Sequence, residues 1–131
     1  DPDPPLLDFL NFPHPGHIRQ GQPFGNSWSH LGRIAVNGLF ADPGDPLPTI
    51  LAGDINAQPA DEPVQILQQR WTGTVENPPA PSAPSVKPTS RIDYIFYRPE
   101  TRFRLVQAEV IAESMASDHR PVLAVLELLG Q

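Results

Sequence analysis

The chain contains no cysteine, which excludes both disulfide cross-links and thiolate metal sites. A chain without thiols suits any redox compartment, so location is not encoded here. Charge is also scarce: 18% of residues are charged, against roughly 25% in an ordinary soluble domain. What charge there is leans acidic, net −6, so the broad basic face of a strong duplex binder is missing. A phosphate substrate survives that exclusion, because a bound divalent cation supplies positive charge locally. No apolar run approaches the roughly 18 residues that cross a bilayer, and no signal peptide is visible. The chain opens at Asp1 rather than at a methionine, and from this we expect further sequence upstream.

What is present is one domain's worth of chain, 131 residues, long enough to close a hydrophobic core. The missing charge is replaced largely by 18 prolines, dense near the start and again between Pro78 and Pro88. Residues 1–26 read as a Pro-rich irregular segment and residues 27–131 as the folded part. Ser27 to Ala41 places Leu31, Ile34, Ala35 and Leu39 at helical spacing, and Asp42-Pro43-Gly44 ends that helix. Pro48 to Ala52 is a short apolar run, expected to be a strand buried on both faces. Asp61 to Trp71 predicts a second helix, with Asp61 as its cap and Pro63 in its first turn. A proline-rich loop follows from Gly73 to Lys87. Three strands close the chain, at 91–98, 103–112 and 121–128. Helix, strand, helix and three strands predict a layered α/β sandwich rather than a doubly wound parallel sheet.

Three places carry ionisable groups where the apolar pattern does not ask for them. Gly53-Asp54-Ile55-Asn56 follows the first strand, and in extended chain Asp54 and Asn56 project together. The same residues are common turn formers. Arg91-Ile92-Asp93-Tyr94-Ile95-Phe96 sets a carboxylate inside a strand-forming run, where burial demands a dedicated partner. Arg91, two residues away, offers a purely structural one. Ser117-Asp118-His119-Arg120-Pro121-Val122 puts Asp and His at the start of a strand, or simply in a polar loop before it. His14, His17 and His30 stand alone and read as solvated imidazoles.

The combination is more specific than its parts. Hydrolysis of a phosphoester needs a cation against the phosphate charge, a carboxylate to align water, a donor to the phosphoryl oxygens and an acid–base group. Asp54, Asn56, Asp118 and His119 supply those types, and Asp93 can orient the His119 ring. Oxygen and imidazole donors suit Mg2+ or Mn2+. The order Gly-Asp-x-Asn, Arg-Ile-Asp-Tyr-Ile, Ser-Asp-His-x-Pro-Val resembles the C-terminal motifs of the endonuclease/exonuclease/phosphatase superfamily. That group takes in pancreatic-type deoxyribonucleases, abasic-site endonucleases, neutral sphingomyelinases and inositol-polyphosphate phosphatases. The likeness runs from about Leu31 to Leu129, and Leu31-Gly32-Arg33-Ile34-Ala35 is similar to the arginine-bearing helix that precedes the first motif.

The resemblance implies a fold, a reaction and a set of roles. The fold is the C-terminal half of a four-layer αββα sandwich, with mainly antiparallel or mixed sheet and flanking helices. The reaction is metal-dependent hydrolysis of a phosphate ester, whether of nucleic acid, lipid head group or inositol phosphate. Asp54 would align the attacking water, Asn56 would contact the phosphoryl oxygens, and His119 would contact phosphate while paired with Asp93. Asp118 would be the metal carboxylate, with Arg91 and Ser117 in support. The family's first-strand asparagine and its metal-binding glutamate have no counterpart between Asp1 and Asn26. A missing N-terminal half of the same domain is therefore expected. The alternative is a non-catalytic sandwich, or a degenerate relative, acting as an interaction module.

Overall fold

The computed structural model describes residues 35–130. The expected irregular segment at 1–26, the three isolated histidines and the first part of the predicted first helix lie outside the described residues. Within them, α1 (35–40) is helical and ends where expected. Asp42 makes the stop: its carboxylate accepts from Gly44 N at 2.9 Å, and its carbonyl accepts from Asp45 N at 3.1 Å.

β1 (Thr49–Asp54) and β3 (Asp93–Arg98) pair antiparallel, and the two-residue β2 (Thr72–Gly73) pairs along the other side of β3. Residues directly opposite in such a ladder share a face. Register therefore sorts the sheet into two sides. Leu51 lies opposite Phe96 and Gly53 opposite Tyr94, while Ala52 faces Ile95 and Asp54 faces Asp93. The first side is the core side. α2 (Glu62–Gln68) covers it, and Val64, Leu67, Trp71, Tyr94 and Phe96 form one buried cluster with Ile55 and Ala57. Burying each large side chain of this kind contributes about 1.5–3 kcal/mol. Asn37 joins the two helices, donating from Nδ2 to Ile66 O at 2.7 Å and accepting from Trp71 Nε1 at 3.0 Å.

β4 (Phe103–Val110) and β5 (Val122–Leu128) form a separate antiparallel pair, entered through a short 3-10 turn at Glu100–Arg102. This pair packs against β3 on the side opposite α2, with the Tyr97 and Phe103 rings 5.3 Å apart. The architecture is mixed α/β with two antiparallel sheets and few helices, as the sandwich expectation requires.

Two expectations need correction. β1 is not buried on both faces: Ile50 is 55% exposed, because the β4–β5 pair lies under β3 and leaves the outer face of β1 open. Asp61 occupies the cap position of α2 without capping it. Its carboxylate turns back to accept from Gln58 N at 2.7 Å, closing the preceding turn instead. Residues 74–87 form the expected loop, and part of it turns inward. Thr74, Ser82, Ala83 and Ser85 are buried, and Ala83 bridges to Ser90. Pro63 does sit in the first turn of α2, where its missing N–H costs nothing.

Candidate functional site

The register of β1 on β3 puts two carboxylates face to face. Asp54 is the last residue of β1 and Asp93 the first of β3, and they are direct cross-strand partners. Like charges in that relation destabilise a sheet. A third group joins them: His119 Nδ1 lies 2.9 Å from Asp93 Oδ2 and 3.1 Å from Oδ1. Single donor atoms of Asp54, Asp93 and His119 all fall within 4.8 Å of one another. A concavity of about 340 Å³ opens here, lined in part by Gly53, Asp54, Asp93, Ser117, His119 and Arg120.

Local sequence explains how each group is held. Gly53 takes φ 154°, a conformation side chains rarely adopt, immediately before Asp54. Asp54 Oδ1 accepts from Asn56 N at 2.8 Å, and Asn56 stands at φ 53°, a left-handed conformation that asparagine tolerates. The strand has therefore turned before Asn56, and the two side chains do not alternate as in extended chain. Asn56 is exposed and is not among the residues lining the concavity. Tyr94 ties this turn to the base of β3: its hydroxyl hydrogen is shared between Ala57 O at 2.7 Å and Arg91 O at 2.8 Å.

Arg91 does not serve as the salt-bridge partner of Asp93. Its guanidinium pairs with Glu76 at 2.5 Å, and its Nε donates to the Asp93 backbone carbonyl at 2.9 Å. Burial opposes ionisation of Glu76. Hydrogen bonds from its own and the Ala80 amide, together with Arg91, outweigh it and hold the carboxyl below its usual range. Arg91 thus fastens the strand and leaves the Asp93 carboxylate to others.

The His119 loop is built from its own polar residues. Ser117 Oγ accepts from His119 N and donates to Asp118 Oδ1, both at 3.2 Å. Asp118 is exposed, and its carboxylate lies outside the group of three that converges. The pKa of His119 is raised above the ordinary imidazole value. Its hydrogen bond to Asp93 is the main cause; desolvation opposes it, and the charges of Asp93, Asp118 and Asp54 add to it. The fold thus brings Asp54, Asp93 and His119 together, with Ser117 and Asp118 on the adjoining loop and Asn56 and Arg91 one step further out.

Sequence reasoning missed Ser82. Its side chain is fully buried, and its Oγ donates to Asp93 Oδ2 at 2.7 Å. Only its setting, Pro81-Ser82-Ala83-Pro84, hinted at a stiff segment of small residues that could be packed tightly.

An acid–imidazole constellation at the strand ends, between two antiparallel sheets, defines the class: a layered α/β protein whose site draws on both layers. The profile of the Endonuclease/Exonuclease/phosphatase family matches residues 10–119, and the chain belongs to that family. Two solved structures share the fold. A functionally unknown conserved protein from Enterococcus faecalis V583 is 23% identical with a TM-score of 0.60, over 77% of this chain and 44% of its own. An endonuclease/exonuclease/phosphatase from Bacteroides vulgatus is 18% identical with a TM-score of 0.63, over 80% of this chain and 46% of its own. The chain spans under half the length of either structure. Among functionally curated proteins there is no significant match.

Proposed function

We propose that this chain carries the catalytic rim of a divalent-metal-dependent phosphoesterase. The observation that supports it most is the convergence of Asp54 and Asp93, from one sheet, with His119, from the loop before β5, at one concavity. Family membership supports a hydrolase of the phosphoesterase or nuclease type. With Nδ1 engaged by Asp93, the ring turns its other nitrogen, Nε2, to chemistry. In the protonated ring favoured by the raised pKa, Nε2–H donates to a phosphoryl oxygen. Asp54, the remaining carboxylate, aligns the attacking water and accepts its proton. Asn56, outside the concavity on the turn held by Asp54, is assigned as an amide donor to phosphoryl oxygens only for a substrate that extends past Asp54.

The donor set of carboxylate oxygens and imidazole fits a hard divalent cation, Mg2+ or Mn2+. Nδ1 of His119 and the Asp93 carboxylate already engage each other, so a cation at those atoms must displace a hydrogen bond. We therefore assign it to Asp118, the exposed carboxylate beside His119 that stands outside that pair. Bound there, the cation supplies positive charge against the phosphate oxygens.

On this reading the chain is part of a larger family domain, since it spans under half of either solved structure. The segment at 78–88 packs buried Ser82 and Ser85 against the site, which ties it to the phosphoesterase reading more than to an interaction module. The test is hydrolysis of bis(p-nitrophenyl) phosphate by the whole protein, with Mg2+ or Mn2+ and with a chelator. Cation-dependent turnover is expected. A full-length protein inert with both cations removes the proposal.

A further inference from the structure

Ser82 is the best-connected small side chain at the site, and nothing in the proposed chemistry uses it. Its Oγ lies 3.2 Å from Ile92 N and 3.3 Å from Asp93 N, and it accepts from both. A serine hydroxyl has two acceptor lone pairs and one hydrogen. With both lone pairs occupied by amides, the hydrogen is directed to the remaining acceptor, Asp93 Oδ2, at 2.7 Å. The same residue's carbonyl accepts from Arg120 N at 2.7 Å, one residue beyond His119. Three residues on, Ser85 repeats the grip. Its amide donates to Asp118 O, and its carbonyl accepts from Arg120 Nε, each at 2.7 Å. The segment therefore holds the Asp93 carboxylate from one side and the His119 backbone from the other.

We infer that Ser82 is a positioning residue which, through Asp93, sets the tautomer and orientation of the His119 ring. The inference deepens the phosphoesterase reading and rests on it for its catalytic consequence. The physical reason is placement. An ionised carboxylate offers acceptors only, so while Asp93 faces the ring Nδ1 must carry a proton, and the Ser82 hydrogen on Oδ2 keeps the carboxylate there in one rotamer. Nε2 is then the nitrogen released to substrate. Without the hydroxyl, the carboxylate regains its χ2 freedom and the ring loses its bias. Groups that orient a functional side chain from behind typically alter function by about ten- to a hundredfold when removed.

The test uses Ser82→Ala in the whole protein, with Thr74→Val as the control. Thr74 is equally buried and donates from Oγ1 to Ile95 O at 3.0 Å, but it does not touch the pair. The first readout is the His119 ring in a long-range 1H–15N correlation spectrum, recorded without metal and at a pH high enough that the ring is neutral. Wild type and Thr74→Val should show the Nδ1–H tautomer dominant, and Ser82→Ala a mixture of both. The second readout is phosphodiester turnover, where Ser82→Ala should lower kcat about tenfold with KM within about twofold. A tautomer unchanged in Ser82→Ala, or the same disturbance in Thr74→Val, overturns the inference. A wild-type protein that hydrolyses nothing defeats the phosphoesterase reading instead, and the spectrum still decides the role of Ser82.

Discussion

The two sheets are built to different standards. The β1–β3–β2 sheet backs onto α2 and owns the cluster of buried side chains, with Val64, Leu67 and Phe96 wholly excluded from solvent. The β4–β5 pair contributes no residue to that cluster, and Val106, Val125 and Leu128 are 59%, 41% and 60% exposed. One layer is fixed by its own packing, while the other leans on β3. The candidate site sits on the seam, taking Asp54 and Asp93 from the packed layer and His119 from the loop that enters the thin one. Orientation across such a seam cannot come from core packing alone. It comes from polar clamps: the Ser82–Ser85 segment, the Ser117 hydroxyl and the Asp93–His119 pair.

Breaking the seam chemically should have the largest effect. Asp54→Ala or His119→Ala should each lower phosphodiester turnover by about 10²–10⁴ with the fold retained, by circular dichroism. Asp93→Ala and His119→Ala should be strongly non-additive, the double variant losing little more than the worse single one. Additive losses in steady-state kinetics would mean that the two residues do not act as a pair.

Within the packed layer, Phe96→Ala should cost about 3–5 kcal/mol in urea unfolding, because it empties a fully buried site. Arg91→Met should cost a similar amount, about 3–5 kcal/mol, since it strands Glu76 without its partner. In the thin layer, Val106→Ser should stay within about 0.5 kcal/mol in this chain. Equal costs for Phe96→Ala and Val106→Ser would erase the contrast between the layers.

The smallest effect concerns pH. The raised pKa of His119 means the folded state holds this proton more tightly than the unfolded chain. Its stabilisation is complete below the unfolded imidazole value of about 6.5. It then declines as pH rises through the higher folded value. In metal-free protein, the urea midpoint of wild type should fall relative to His119→Asn as pH climbs through that window. A constant difference across it would mean that no such preference for the proton exists.

Much of this was legible before any coordinates. Strand and helix order followed from apolar periodicity and from the breakers Asp42-Pro43-Gly44 and Pro63, which act on neighbouring residues. The strand-end positions of Asp54 and Asp93, and the place of His119 before a strand, were equally local. Asn56 escaped, because a left-handed residue breaks an alternation that sequence spacing takes for granted. Arg91 escaped too, since an arginine can reach many carboxylates and only the path of residues 73–87 put Glu76 nearest.

Composition and spacing by themselves determined where the main helices and strands fall and which residue types are available for chemistry. These depend on contacts a few positions apart. Only the tertiary structure decided that Asp54 stands opposite Asp93, that the ring of His119 reaches the same carboxylate, and that a serine between prolines is buried beneath it. Strand register and loop path are set by packing between segments distant in the chain, and no local pattern carries that information.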